Sequence, residues 1–197
     1  RCRVLCIGDA ADAAVPELDE REVAEPGVAG VRRRRPPRMN GCCGLRRAIA
    51  DAADKYGVPH VKVPGGQRID LLGVKKEDLP AMWADLNEAG LVSGHAYSKG
   101  LRTVKTCVGR EHCRFGTQDS TGLGMKLEKR LWGSWTPHKV KLGVSGCPRN
   151  CAEATCKDLG IICVDSGFEI GVGGAAGMDL KEIQPLVKVA TEAEAEE

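Results

Sequence analysis

No stretch of this chain approaches the run of about 18 or more apolar residues that a membrane-spanning helix needs, so no membrane partner is expected. The start lacks a secretory pattern as well. A signal would follow a basic opening with about 7 to 15 apolar residues, whereas alanine-rich and acidic sequence follows Arg1-Cys2-Arg3-Val4-Leu5-Cys6-Ile7, and a cytoplasmic location is expected. Aromatic residues are scarce at 4%, none flanks the run Arg32-Arg33-Arg34-Arg35, and the net charge is only +2. Stacking surfaces and a strong positive field are what a nucleic-acid arm uses, so nucleic acid is not an expected partner. No internal repeat is visible. What is present is enough apolar sequence (42% of 197 residues) for one domain or two small ones, and ten cysteines. In a reducing compartment that many thiols argue for metal or redox chemistry over a disulfide framework.

Residues 1–38 read unlike the rest: alanine and acidic residues, then the arginine run and Pro36-Pro37. With no Met at the start, they are expected to be a disordered leader or the stub of a longer polypeptide. A compact α+β half-domain is expected over residues 39–98. It opens with a helix from Leu45 to Tyr56, with Asn40-Gly41-Cys42-Cys43 an irregular entry to it. Short strands at Val58–Val63 and Arg68–Leu72 flank the Pro64-Gly65-Gly66 turn, and a second helix begins at Asp78 and stops at Gly90. Over residues 99–190 the pattern predicts an extended Leu101–Cys107, a helix from Asp119 to Leu131 and a strand Lys139–Val144. Strands at Gly160–Val164 and Phe168–Val172 follow, then a helix from Asp179 with Leu180, Ile183 and Val187 inward and Pro185 as a kink. Residues 191–197 are expected to be a fraying acidic tail.

Four cysteines of the second region form two unequal pairs, Cys107 with Cys113 (C-x5-C) and Cys147 with Cys151 (C-x3-C). Thiolates are soft ligands, and the C-x5-C pair falls outside the C-x2-4-C spacing common in structural zinc sites, so the set suits an iron-sulfur cluster better. Zinc remains an alternative, as does simple packing of buried thiols, the reading we give Cys156 and Cys163. Cys42 and Cys43 are adjacent and diverge, and the C-x3-C spacing of Cys2 and Cys6 stands in a segment without other signs of order. Lys139 and Lys141 share one face of the strand that runs into the Cys147 loop, so their ammonium groups are expected to point toward whatever the cysteines bind. With Arg68, Arg102 and Lys105 they could neutralise a small oxyanion or cofactor carboxylates. Solvated surface is the ordinary alternative for such residues.

Ser145-Gly146-Cys147-x3-Cys151, continued by Asp158-Leu159-Gly160-Ile161, resembles the sirohaem and iron-sulfur signature of the nitrite and sulfite reductase family. Thr106-Cys107 through Cys113-Arg114-Phe115-Gly116 looks like that family's first cysteine pair, and Val61 through Val74 like its ferredoxin-like half-domain. Within the family the likeness is greatest to the assimilatory NAD(P)H-dependent nitrite reductases, over about residues 44 to 190. The resemblance implies a ferredoxin-like half-domain followed by a sirohaem and 4Fe-4S domain. Cys107, Cys113, Cys147 and Cys151 would ligate the cluster, and Cys151 would bridge to the sirohaem iron. It implies reduction of nitrite to ammonium in nitrate assimilation, inside a cage to which Lys139, Lys141, Arg68 and Arg102 contribute. FAD and NAD(P)H would enter only through donor domains not recognisable in this chain, making a flavin domain or subunit the expected electron-donor partner. Relatives with a duplicated core hold sirohaem between two halves, so a homodimer, or this half with further sequence, is expected to complete the pocket. The alternatives are a sulfite reductase, or a truncated non-catalytic fragment that binds iron-sulfur or zinc.

Overall fold

A computed structural model of the chain describes residues 3–8, 41–94 and 99–197. The described residues divide into two compact units, one reaching to Gly94 and the other running on to Glu197, save that Gly65–Gln67 belongs to the second.

The first unit is an antiparallel sheet with two helices. Strand β1 (Arg3–Gly8) precedes helix α1 (Gly41–Lys55), and β2 (His60–Lys62), β3 (Ile69–Val74), helix α2 (Leu79–Glu88) and β4 (Val92–Ser93) follow. The sheet order is β2-β3-β1-β4, with β1 paired to β3 from Arg3 opposite Val74 to Ile7 opposite Ile69. Arg3–Gly8 is therefore a central strand where a leader was expected; the arginine run and the rest of that leader, with Cys2, lie outside the described residues. The apolar Val4-Leu5-Cys6-Ile7 is locally a strand signal, but its partner is more than sixty positions away, and only that long-range pairing makes it one. Helix α1 also starts four residues earlier than expected, so Gly41-Cys42-Cys43 is helical and not irregular. Ile49, Ala52 and Ala53 of α1, Leu71 and Val74 of β3, and Met82 and Leu86 of α2 form the core. Tyr56 Oη (2.7 Å) and Lys55 Nζ (2.6 Å) both donate to Asp85 Oδ2 on α2.

The second unit is built on a five-stranded sheet in the order β5-β6-β7-β8-β9. Strand β5 (Lys105–Thr106) leads through the single-turn helix α3 (Gly109–His112) to helix α4 (Ser120–Leu131) and strand β6 (Leu142–Ser145). Strands β7 (Leu159–Val164), β8 (Gly167–Val172) and β9 (Gln184–Val189) and helix α5 (Glu192–Glu196) complete it. Strands β5, β6 and β7 are parallel, whereas β7, β8 and β9 form an antiparallel meander. Leu123 and Leu127 of α4 pack with Leu142, Val144, Ile161, Cys163 and Phe168. Asp119 Oδ1 caps α4 by accepting from Gly122 N at 2.9 Å. A methyl group at Gly124 would overlap the Thr106 side chain, so the glycine lets α4 lie close on β5.

Two expectations fail in this unit. The helix read from Asp179 is absent: Gln184–Val189 is an edge strand, Leu180 and Val187 are exposed, and Pro185 stands opposite Gly171 beside a bulge. Proline cannot donate to a ladder, so an edge is where a strand tolerates it. The acidic tail is not frayed either. Thr191 and Glu194 form a reciprocal capping box for α5, Ala195 is buried, and Arg130 donates to Glu196 O at 2.7 Å. Cys156 sits in a 3-10 turn (Ala154–Cys156), and Cys163 is fully buried in β7. No helix among the described residues is long and apolar enough to cross a membrane.

Candidate metal centre

Because β5 and β6 are parallel neighbours, with Lys105 opposite Gly143 and Thr106 opposite Val144, their carboxyl ends open at the same edge of the sheet. Cys107 follows β5 at once, and Gly146-Cys147 follows β6. Loops at the carboxyl ends of parallel strands are where α/β sheets commonly hold ligands. Strand β6 is buried along its whole length, which fixes where the second loop begins.

The two loops touch. Gly146 N donates to Cys107 Sγ at 3.0 Å, and the amide and hydroxyl of Thr117 both donate to Gly146 O, at 2.7 and 3.0 Å. A Cβ at Gly146 would stand 3.0 Å from Gly109 Cα and from Ser120 Oγ and 3.2 Å from Cys107 Sγ, so a bare backbone is what this approach requires. Inside the first loop, the turn of α3 carries the chain from Cys107 to Cys113, whose amide bonds Gly109 O at 3.0 Å. In the second loop Asn150 and Glu153, on either side of Cys151, both adopt left-handed backbone with φ of 57°. Asn150 Oδ1 accepts from Ser145 Oγ at 3.0 Å while Nδ2 donates to Thr155 Oγ1 at 2.6 Å, and Ala152 N donates to the fully buried Ser145 Oγ at 3.2 Å. The Glu153 carboxylate holds Lys105 Nζ at 2.9 Å and Lys157 Nζ at 3.0 Å; these two lysines depress its pKa to about 2.

The thiols are in different surroundings. Cys147 is buried, Cys107 and Cys113 are half-buried, and Cys151 is exposed. Burial pushes the Cys107 thiol up, but hydrogen bonds from Ser120 and from the backbone of Gly146 and Gly109 outweigh it and lower its pKa below the ordinary thiol value. Cys163 behaves in the opposite sense, pushed up to about 12 chiefly by burial and then by the charges of Cys107 and Cys147. That fits its reading as a packed small hydrophobe. Among the described residues no three Cys, His, Asp or Glu side chains stand close enough to hold one metal ion. Four thiols on two abutting loops fit a polynuclear cluster, whose ligands stand further apart than those of a single ion.

The basic residues are placed differently. Leu101 bridges to Val140, Arg102 N donates to Val140 O at 2.8 Å, and so Arg102 lies beside the Lys139–Lys141 segment. Lys139 is exposed and Lys141 half-buried, with its amide donating to Asp158 Oδ2 at 2.8 Å. The two lysines precede β6 and Cys147 follows it, so roughly 13 Å of strand separates them, at about 3.3 Å for each residue. Arg68 belongs to the first unit, mostly buried, with Nε 3.9 Å from Asp70 Oδ1. A groove of about 530 Å³ on the β7–β9 face is lined by Ile162, Ile170, Leu186 and Val187 among others, and by no cysteine.

Sequence reading missed Ser120, Asn150, Glu153 and Gln67. Gln67 exchanges hydrogen bonds with the backbone of Thr106 (3.0 and 2.9 Å), closing the outer edge of β5 as a strand would. None of the four carries a local signal of its role, since each acts across a turn or between segments.

The chain matches the nitrite and sulphite reductase 4Fe-4S domain over residues 97–197 and the nitrite/sulfite reductase ferredoxin-like half domain over residues 44–89. It is 60% identical over 148 residues to a nitrite reductase [NAD(P)H] of Bacillus subtilis, covering 75% of this chain and 18% of that protein. It is 40% identical to an assimilatory-type sulfite reductase of Nitratidesulfovibrio vulgaris, covering 68% of this chain and 63% of that protein. In fold it is similar to the NirA protein of Mycobacterium tuberculosis, with a TM-score of 0.61 at 18% identity, over 72% of this chain and 27% of that one. The chain spans less than a fifth of the length of the nitrite reductases it matches.

Proposed function

The chain belongs to the nitrite and sulphite reductase 4Fe-4S family, and from that premise we propose that it is the catalytic portion of an assimilatory, NAD(P)H-dependent nitrite reductase that forms ammonium. The observation that carries the reading is the abutment of the two cysteine loops at one end of β5 and β6, joined by the Gly146 amide on Cys107 Sγ. Cys107, Cys113, Cys147 and Cys151 would hold the cluster, and Cys151, the exposed thiol, would be the one to face sirohaem. When bound, the cluster supplies electrons singly and sirohaem supplies the metal at which a small oxyanion is reduced. Around them the chain's own residues bind and position. The Cys147 loop is locked by Asn150, and Lys139, Lys141 and Arg102 would supply cations for the cofactor carboxylates or for nitrite, with lysine able to hand on protons. FAD and NAD(P)H belong to a donor domain or subunit, and the cytoplasm is the compartment this chemistry suits.

Sulfite is the second reading, favoured by one observation: the sulfite reductase relative is matched over 63% of its own length, against 18% for the nitrite reductase. Identity of 60% against 40% favours nitrite. Turnover of both anions by the iron-, sulfide- and sirohaem-loaded chain with an artificial one-electron donor separates them. A preference for sulfite would overturn the assignment, and a chain that takes up only zinc would make it a non-catalytic fragment. Lys141→Ala is expected to leave the absorption spectrum intact and lower turnover, whereas Cys151→Ser should abolish both centres.

A further inference from the structure

We propose that Ser120 is a positioning residue that sets the reduction potential of the cysteine-held cluster through Cys107; this rests on the iron-sulfur reading above. Ser120 opens α4 and is fully buried, with Oγ 3.3 Å from Cys107 Sγ and 3.1 Å from Cys107 O. Its one proton has two claimants. The carbonyl has two lone pairs and also accepts from Thr121 Oγ1 at 3.0 Å, so the serine proton is shared between it and the sulfur; a ligating thiolate carries no proton, and in that contact the serine is the donor. Gly146 N donates to the same sulfur at 3.0 Å from the opposite loop.

Cys107 Sγ thus has the Ser120 hydroxyl and the Gly146 amide among its donors, while among the described residues no hydrogen bond reaches the sulfur of Cys113, Cys147 or Cys151. The asymmetry has an electronic consequence. Reduction adds negative charge that spreads onto the ligating sulfurs, so a donor aimed at one of them stabilises the reduced cluster more than the oxidised one and raises its potential. Complete burial of Ser120 keeps bulk water from replacing the lost donor.

The test is an EPR-monitored redox titration of the full chain loaded with iron and sulfide. In Ser120→Ala the reduced cluster should lose on the order of tenfold in stability relative to the oxidised one, a downward shift of about 59 mV for a one-electron couple. Ser120→Thr, which keeps the hydroxyl, should restore the potential. Thr121→Val should give a smaller downward shift, because the carbonyl then draws on the serine proton. An unchanged potential in Ser120→Ala with a full cluster would overturn the proposal. If that variant fails to load, an unchanged potential in Thr121→Val overturns it instead. A wild-type chain that takes up no iron and sulfide defeats the iron-sulfur reading itself, a separate result.

Discussion

The Cys107–Cys113 and Cys147–Cys151 loops leave neighbouring parallel strands at the same edge, yet they are held by different means. The first is held through sulfur and hydroxyl: Ser120, Thr121 and the Gly146 amide converge on Cys107. The second is held through backbone conformation, with two left-handed residues beside Cys151 and an asparagine side chain bonded to Ser145 and Thr155. Hydrogen bonds to a sulfur act on its electrons, whereas a locked backbone acts on its position. One loop is therefore suited to tuning a cluster, and the other to presenting an exposed thiol in one place.

Breaking the second loop should have the largest effect on stability. Asn150→Ala loses both the tolerance for left-handed backbone and the bonds to Ser145 and Thr155, an expected loss of about 3 kcal/mol in urea unfolding of the apo-chain. Asn150→Gly should recover about 1 kcal/mol of it, because glycine accepts the backbone conformation and lacks only the side-chain bonds. Equal losses in the two variants would show that conformation plays no part. Separating the loops comes next. Gly146→Ala pushes a methyl group against Gly109, Ser120 and the Cys107 sulfur, and should destabilise by about 2 kcal/mol and slow uptake of iron and sulfide.

The smallest effect lies on α4, where Glu128 Oε2 accepts from Val104 N at 2.7 Å. Burial raises the carboxyl pKa more than that hydrogen bond lowers it. Protonation of Glu128 thus favours the fold, an advantage complete below the ordinary carboxyl range and lost as pH rises through the raised folded value. Glu128→Gln keeps an acceptor for Val104 and has no charge to bury. It should be more stable than the parent at neutral pH by less than about 1 kcal/mol, with the gap closing under acid conditions. A gap that is the same at every pH would remove Glu128 burial as the cause.

The family and the α+β class were legible in the cysteine spacings and their neighbouring residues, and most helices and strands in periodicity. Where reading failed, a long-range partner decided. Leu180, Ile183 and Val187 stand at spacings that fit a helix, but β8 offers Gln184–Val189 a ladder and Pro185 fits an edge. Arg3–Gly8 is short and precedes sequence without a core pattern, yet β3 and β4 enclose it. Asn150 and Glu153 are unremarkable polar residues until their backbone angles are known.

By itself the sequence determined the family, since the cysteine pairs and the residues around them carry its motifs without coordinates. It also determined which strand runs into the Cys147 loop. Only the tertiary structure decided that Cys107 and Gly146 meet, because residues 39 positions apart are brought together by the parallel register of β5 on β6, and α4 holds that register by packing Leu123 and Leu127 on the sheet. It decided too that Arg102 lies beside the K-x-K lysines, because Leu101 bridges to Val140 and the Arg102 amide donates to Val140 O, a pairing between distant segments that no local pattern carries.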